Sequence, residues 1–182
     1  MQAIDGIRRY GGVKMKESDN EKLVLKEINQ VCVVVKDLQK SMEYYWSNFG
    51  IGPFTIYTYK PPFVTDMKIR GEPKEYRMKI AFAKMGAIQL ELIQPLSESI
   101  YTEFLSEKGE GIHHIGCYVD DLDEAVAIVE KQGIKVTQSG RRPGSGYAYL
   151  DTEEMMGAIF ELIQRPTSTP TPEAIWPDEK TI

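Results

Sequence analysis

The sequence predicts an α+β fold built from two copies of one βαβββ module, whose sheets curl around a shared cleft. The first observation is an internal repeat: residues 30–38 and 114–122, which lie 84 positions apart, both run from a polar residue through a short apolar strand to Asp-Leu. The second observation is that residues 86–94 and 157–164 have closely similar sequences. A repeat at a fixed spacing is typical of a duplicated structural unit.

Each Asp-Leu pair predicts the start of an amphipathic helix, because an aspartate at the N-cap accepts a hydrogen bond from a free backbone amide. The helices are predicted over residues 38–48 and 122–131, and each stops near a glycine that favours helix termination. Two further strands are predicted in each module from runs of strand-forming residues. These runs are 54–59 and 76–84 in the first module, and 135–138 and 147–150 in the second.

Further segments lie before, between and after the two modules. The predicted segments are, in order, an N-terminal extension (1–26), the first module (27–95), a connector (96–110), the second module (111–165) and a proline-rich tail (166–182). The connector contains a short predicted helix over residues 99–107. Residues 60–73 are predicted to be an additional loop of the first module, and the tail is expected to wrap a surface or stay loose.

The composition is that of a globular protein and excludes several classes. Of the 182 residues, 42% are hydrophobic and 27% charged, which is too apolar for a mainly disordered chain. No apolar run approaches the roughly 20 residues that span a bilayer. A formal charge of −5 without a basic stripe argues against nucleic acid as a partner. Cys32 and Cys117 are expected to be reduced and buried, and the absence of an apolar leader predicts a cytoplasmic protein.

Four polar residues occupy equivalent places in the two modules. Gln30 and His114 each begin a first strand, and Glu91 and Glu161 each lie in a last strand. Two carboxylates that face one cleft repel each other unless a positive charge lies between them. One divalent ion (Zn, Co, Ni or Mn) would supply that charge, with three oxygen ligands and one nitrogen ligand. Neither cysteine is expected to face the cleft.

Each of these residues also has an ordinary structural interpretation. A lone glutamate in a strand is usually solvated, Gln30 could cap a strand edge, and His114 could be a hydrogen-bonded core histidine. His113 is expected to point the other way and to be structural. The equivalence of all four positions in the repeat favours the metal site over four unrelated coincidences.

Residues 28–164 resemble the vicinal oxygen chelate superfamily. The most specific stretch is 91–121, which includes Gly109-Glu-Gly-Ile-His-His-Ile115 and is similar to methylmalonyl-CoA epimerases. The resemblance implies a vicinal oxygen chelate fold and places the family's metal ligands at Gln30, Glu91, His114 and Glu161. The epimerases usually have histidine at the position of Gln30, whereas some glyoxalases I have glutamine there.

The resemblance also implies the chemistry and the partners. A divalent ion would stabilise the enolate that forms when a proton next to a carbonyl is lost. Glu161 would be one catalytic base and Glu75 the other, although the residues around Glu75 favour an exposed charge over a base. The glycine-rich segment 139–146 could place Arg141 or Arg142 against a carboxylate or a CoA phosphate. The implied partners are a small-molecule substrate, an acyl-CoA among them, and a second copy of the chain in a homodimer.

Four functions remain open at this level. An acyl-CoA epimerase is the leading hypothesis. A lactoylglutathione lyase is the alternative, although residues 33–35 are valines where those enzymes often have a glutathione-binding arginine. A ring-cleaving dioxygenase would need two histidines and one carboxylate as iron ligands, which Gln30 disfavours. A non-enzymatic small-molecule-binding protein of the superfamily usually lacks the four polar positions.

Overall fold

The computed structural model describes residues 21–178, so most of the predicted N-terminal extension lies outside the described residues. The first module contains β1 (Gln30–Val34), α1 (Leu38–Phe49), β2 (Phe54–Tyr59), β3 (Thr65–Ile69), β4 (Glu72–Pro73), β5 (Met78–Met85) and β6 (Ile88–Pro95). The connector forms α2 (Ile100–Lys108). The second module contains β7 (Gly111–Val119), α3 (Leu122–Lys131), β8 (Val136–Arg142), β9 (Ser145–Leu150), α4 (Glu153–Met156) and β10 (Ile159–Gln164), and the tail adds β11 (Ala174–Trp176).

The strands of the described residues form one curled sheet in the order β11-β2-β5-β6-β1-β7-β10-β9-β8-β3-β4. The order contains two equivalent blocks, β2-β5-β6-β1 and β8-β9-β10-β7, that meet where β1 pairs antiparallel with β7. In each block the first strand of the module pairs parallel with the last, β1 with β6 and β7 with β10. This arrangement confirms the predicted α+β fold of paired βαβββ modules.

The two long module helices begin as the sequence predicts. The Asp37 carboxylate accepts a hydrogen bond from the backbone amide of Lys40 at 3.1 Å, and the Asp121 carboxylate accepts one from that of Glu124 at 3.0 Å. Helix α1 ends at Gly50, whose φ of 63° is the left-handed conformation that glycine adopts without strain. Both helices pack on the outer side of the sheet, which leaves the inner side for the join between the modules.

The segment predicted as a loop over residues 60–73 is instead a β-hairpin, formed by β3 and β4. Strand β3 pairs antiparallel with β8 of the second module, with Thr65 opposite Arg141 and Ile69 opposite Gln138. Its apolar residues Met67 and Ile69 join the inner core together with tyrosines of β9. The prediction was wrong because charged residues interrupt the strand pattern and the partner strand is some 70 positions away in the sequence.

The proline-rich tail and the glycine-rich segment both contain paired strand. The tail contributes β11, which pairs with β2, and the Glu173 carboxylate accepts hydrogen bonds from the amide and hydroxyl of Thr58 at 3.0 and 2.9 Å. The glycine-rich segment 139–146 is mostly paired strand, because β8 extends to Arg142 and β9 begins at Ser145. Among residues 21–178, none of the helices is both long enough and apolar enough to cross a bilayer.

Candidate metal centre

Strand register brings the four predicted ligands to one face of the sheet, at the join between the modules. On β1, Gln30 lies opposite Gly116 of β7, and Gly116 lies opposite Glu161 of β10. Two residues further along β1, Cys32 lies opposite both Glu91 of β6 and His114 of β7. Because directly opposite residues point to the same side of a sheet, all these side chains share the inner face.

The four side chains are almost completely buried. The exposed fractions of Gln30, Glu91, His114 and Glu161 are 5%, 4%, 1% and 4%. His114 Nε2 lies 3.2 Å from Glu91 Oε2 and 3.1 Å from Glu161 Oε2. Burying two carboxylates away from water is costly unless a positive charge compensates them. The centre therefore needs a cation, either a proton on His114 or a metal ion.

Four potential ligand atoms on this face lack a hydrogen-bond partner when His114 Nε2 carries no proton. Gln30 Oε1, Glu91 Oε2, His114 Nε2 and Glu161 Oε2 are all buried and lack a hydrogen-bond partner. Two bonds of about 2.1 Å from one ion, at tetrahedral or octahedral angles, separate their donor atoms by roughly 3.0–3.4 Å. The measured separations around His114 Nε2 fall in that range. The residues present fit one divalent ion.

The electrostatics of the centre follow from its burial. Burial alone lowers the pKa of His114, but the Glu161 and Glu91 carboxylates outweigh burial and raise that pKa to about 9. Burial raises the pKa of Glu91, and the facing His114 opposes this rise. In the absence of a metal ion, His114 is therefore protonated at neutral pH and bridges the two carboxylates. A metal ion must displace that proton in order to bind.

The expectation that neither cysteine faces the cleft was wrong for Cys32. Its side chain is fully buried, and its Sγ lies within 4.8 Å of ligand atoms of Glu91 and His114. Burial raises the pKa of the Cys32 thiol well above its usual range, and the Glu91 carboxylate raises it further. The i, i+2 alternation from Gln30 to Cys32 on one strand was the signal that predicts this shared face. Cys117 lies opposite Leu162, which belongs to the outer core under α3.

Buried tyrosines surround the centre, and sequence reasoning did not identify them. The Tyr101 hydroxyl donates a hydrogen bond to the Tyr149 hydroxyl at 2.7 Å, and the Tyr149 ring centroid lies 4.7 Å from that of His114. The hydroxyls of Tyr76 and Tyr147 are 2.9 Å apart. Burial raises the pKa of Tyr101, Tyr147 and Tyr149 well above the usual value, so these phenols stay neutral. The alternation of Tyr147 and Tyr149 on a predicted strand was the available signal.

His113 contacts the centre rather than pointing away from it. Its Nδ1 lies 3.0 Å from Nδ1 of His114, and its ring packs against Tyr101 and Phe104. Burial, together with the charges of His114 and Lys108, lowers the pKa of His113 to about 2. A neutral His113 can accept the Nδ1 proton of His114, which leaves Nε2 of His114 free to face the carboxylates.

The structure does not bring the predicted second base to this centre. Glu75 is exposed and has no hydrogen bond or ion pair among the described residues, whereas its neighbour Tyr76 is buried and faces inward. Consecutive residues of an extended chain point to opposite sides, so only one of the two can face the centre.

The same alternation separates the two predicted substrate-binding arginines. Arg141 pairs with the Asp123 carboxylate and donates a hydrogen bond to Gln164 at 3.0 Å. Arg142 instead lies 5.9 Å from the centroid of the Tyr59 ring, which belongs to the inner core. Its Nη1 is buried and has no hydrogen-bond partner. Of the two arginines, Arg142 is the one that faces the inner core and has an N–H group available for a further hydrogen bond.

Gly116 gives Gln30 the space it occupies. A Cβ atom at this position would lie 2.8 Å from Ile163 Cδ1 and 2.9 Å from Gln30 Oε1. We expect Gly116→Ala to displace the Gln30 oxygen, to weaken divalent-ion binding and to lower the free energy of unfolding by about 1–3 kcal/mol. Denaturant unfolding and metal titration by calorimetry measure both effects.

The matched control is Gly111→Ala on the same strand. Its Cβ would meet nothing closer than Phe104 Cζ at 4.0 Å, which is an ordinary contact. We expect Gly111→Ala to bind the metal as the unaltered protein does. Equal metal affinity in the two variants would contradict the assignment of Gln30 to the centre.

The fold and this centre define a class of protein in which two βαβββ modules enclose a buried set of oxygen and nitrogen donors. Residues 29–149 match the model of the Glyoxalase/Bleomycin resistance protein/Dioxygenase superfamily. The chain belongs to this superfamily.

The chain is similar to an uncharacterized bacterial protein and to mitochondrial methylmalonyl-CoA epimerases. The Bacillus subtilis (strain 168) protein YqjC, described as uncharacterized, is 30% identical over 95 residues, which are 50% of this chain and 68% of that protein. The mitochondrial methylmalonyl-CoA epimerase of Bos taurus is 26% identical over 148 residues, covering 77% of this chain and 75% of the epimerase. The human mitochondrial enzyme is 25% identical and covers 77% of this chain and 74% of the enzyme.

Solved structures share the fold. A methylmalonyl-CoA epimerase in complex with methylmalonyl-CoA and NH4+ aligns with a TM-score of 0.59 and 23% identity, over 82% of this chain and all of that chain. The Mycobacterium tuberculosis methylmalonyl-CoA epimerase aligns with a TM-score of 0.56 and 22% identity, over 83% of this chain and 97% of the other. At these identities the likeness shows the fold alone.

Proposed function

We propose that this protein is a metal-dependent enzyme that moves a proton at the carbon next to a carbonyl, with a small acyl-CoA of the methylmalonyl-CoA type as substrate. The observation that carries the proposal is the set of buried donor atoms, from Gln30, Glu91, His114 and Glu161, that share one face of the sheet and lack hydrogen-bond partners. The epimerase relatives, which cover about three quarters of this chain, support the choice of reaction.

The proposed chemistry assigns a role to each side chain. A divalent ion held by the four residues would supply Lewis acidity toward the oxygens of the substrate. Glu161 is the proposed base, because its carboxylate is buried, has an unpartnered oxygen and is therefore poorly stabilised by solvent. His113 and Tyr149 fix the ring of His114, so that its Nε2 stays directed at the carboxylates.

Arg142 is the proposed partner of the substrate carboxylate. Its buried Nη1 lacks a partner, and a carboxylate of the substrate would satisfy it through a charge-assisted hydrogen bond. The Asp123 and Gln164 contacts already occupy Arg141, which therefore has less capacity for substrate. The role of Glu75 as the second base stays a prediction, and the exposed position of Glu75 does not support that role.

The direct test is exchange of the substrate α-proton with solvent. We expect the full chain, loaded with Co²⁺ or Mn²⁺, to incorporate deuterium from D₂O into methylmalonyl-CoA, to lose this exchange with a chelator and to regain it on adding the ion. Arg142→Gln should raise KM for methylmalonyl-CoA, and the matched Arg141→Gln should leave KM nearly unchanged. Bound metal without any exchange would rule out this substrate.

A hemithioacetal isomerase of the lactoylglutathione lyase type is the second candidate. The observation that favours it is Gln30, whose unpartnered Oε1 completes a Gln, Glu, His, Glu donor set. The two candidates share the proton-transfer chemistry and differ only in substrate. Turnover of the hemithioacetal of methylglyoxal and glutathione, without deuterium exchange into methylmalonyl-CoA, would select this candidate over the epimerase.

A further inference from the structure

We infer that the Cys32 thiolate is a further ligand of the metal centre, which gives the centre one sulfur donor beside its oxygen and nitrogen donors. This inference rests on the proposed metal dependence and specifies which ions the centre prefers. It starts from the position of Cys32 on β1, directly opposite both Glu91 and His114.

The geometry places the sulfur within reach of an ion bound by its neighbours. Cys32 Sγ, a Glu91 carboxylate oxygen and a His114 ring nitrogen all lie within 4.8 Å of one another. At a tetrahedral angle, a zinc–sulfur bond of about 2.3 Å and a zinc–nitrogen bond of about 2.1 Å separate the two donor atoms by roughly 3.6 Å. Rotation of the Cys32 side chain about its Cα–Cβ bond is the movement that would bring Sγ to that separation.

The surroundings of Cys32 differ from those of a cysteine that only fills space. Such a cysteine normally packs among apolar groups, as Cys117 does opposite Leu162. Cys32 packs against the inner apolar core, but it also shares its buried face with four side-chain atoms that lack a hydrogen-bond partner: Gln30 Oε1, Glu91 Oε2, His114 Nε2 and Glu161 Oε2. An ion held by these atoms would have the Cys32 thiol beside it, whereas no comparable donor set surrounds Cys117.

The proposed step is a simple ligation. The thiol loses its proton to solvent when the ion binds, a metal–sulfur bond forms, and no electron is transferred. Thiolate ligands favour Zn²⁺, Co²⁺ and Cd²⁺ over harder ions such as Mn²⁺ and Mg²⁺. The centre should therefore prefer borderline and soft ions more strongly than its carboxylates and amide alone would suggest.

The test is a spectrum of the full chain, freed of metal with a chelator and titrated with Co²⁺. Weak visible bands report that Co²⁺ is bound at all, and an intense near-ultraviolet band reports a cobalt–thiolate bond. We expect both bands in the unaltered protein and in the control Cys117→Ser. Since the chain has two cysteines, a thiolate band in Cys117→Ser can come only from Cys32.

The Cys32→Ser variant completes the comparison. We expect it to keep the visible bands, to lose the near-ultraviolet band and to bind Cd²⁺ about 10-fold or more weakly, the scale on which ligand-supporting groups act, while its Mn²⁺ affinity changes less. Visible bands without a thiolate band in Cys117→Ser overturn the role of Cys32 and leave the metal centre intact. Failure of the unaltered protein to bind any Co²⁺ overturns the proposed function itself.

Discussion

Glu161→Gln is expected to lower the rate of proton exchange by on the order of 10³-fold, the largest effect that the site predicts for one substitution. Glutamine keeps the size of the side chain and one oxygen, so the fold and part of the metal affinity should survive. It cannot take up a proton from carbon, which is the role proposed for Glu161. Exchange of the α-proton of methylmalonyl-CoA with D₂O, measured at saturating metal, gives the rate.

Two matched variants separate the base from the other glutamates. Glu91→Gln removes the charge of a second proposed ligand, and we expect a weaker metal affinity but a smaller loss of exchange once the ion is bound. Glu75→Gln changes an exposed residue and should leave the rate nearly unchanged. A loss in Glu75→Gln comparable with that in Glu161→Gln would restore Glu75 as a base and contradict its placement on the surface.

Metal-free protein is expected to lose stability as the pH rises from about 6.5 to about 9, by on the order of 2 kcal/mol. The reason is His114, whose pKa the Glu161 and Glu91 carboxylates raise to about 9 in spite of its burial. A folded-state pKa above the ordinary value of 6.5 means that the folded protein binds the proton more tightly. That stabilisation is complete below pH 6.5 and is lost as the pH passes through 9.

Metal-loaded protein should not show this loss over the same range. The ion and the proton compete for His114 Nε2, so the apparent metal affinity rises with pH until the proton is gone. The difference in melting temperature between loaded and metal-free protein should therefore widen from pH 6.5 to pH 9. Parallel thermal unfolding curves test this, and a difference that stays constant with pH would mean that the ion does not bind at His114.

A His114→Gln variant serves as the control for the pH dependence. Glutamine cannot carry the proton, so the metal-free variant should lack the loss of stability between pH 6.5 and 9. His113 cannot account for this loss, because burial lowers its pKa to about 2 and it is already neutral there. His113 instead lowers the free energy of unfolding below pH 6.5. In that range the unfolded chain binds a proton at His113, whereas the folded protein keeps this residue neutral.

Much of the site could be predicted from the sequence because its determinants are local. Alternation along a strand and the internal repeats select Gln30, Glu91, His114 and Glu161 as equivalent residues, and the structure places them on one buried face. The same alternation could have predicted the position of Cys32, because Cys32 lies two residues after Gln30 on one strand and therefore points to the same face. It was missed because a lone buried cysteine is usually an apolar residue.

Alternation alone could not decide the remaining residues. It requires that Arg141 and Arg142 face opposite sides, and likewise Glu75 and Tyr76, but it does not determine which member of each pair faces inward. That choice depends on the neighbouring strands, β3 and β9 beside β8. The tyrosine cluster around His114 depends in the same way on contacts between distant segments.

The sequence by itself determined the duplicated modules, the starts of their helices and the choice of four candidate ligands, because capping, periodicity and repetition can be recognised directly along the chain. Only the tertiary structure decided that residues 60–73 form a hairpin on the second module, that Cys32 lies beside Glu91 and His114, and that Glu75 is exposed. Strand pairing between distant segments decides these features, and its free energy depends on the assembled sheet rather than on any one stretch of sequence.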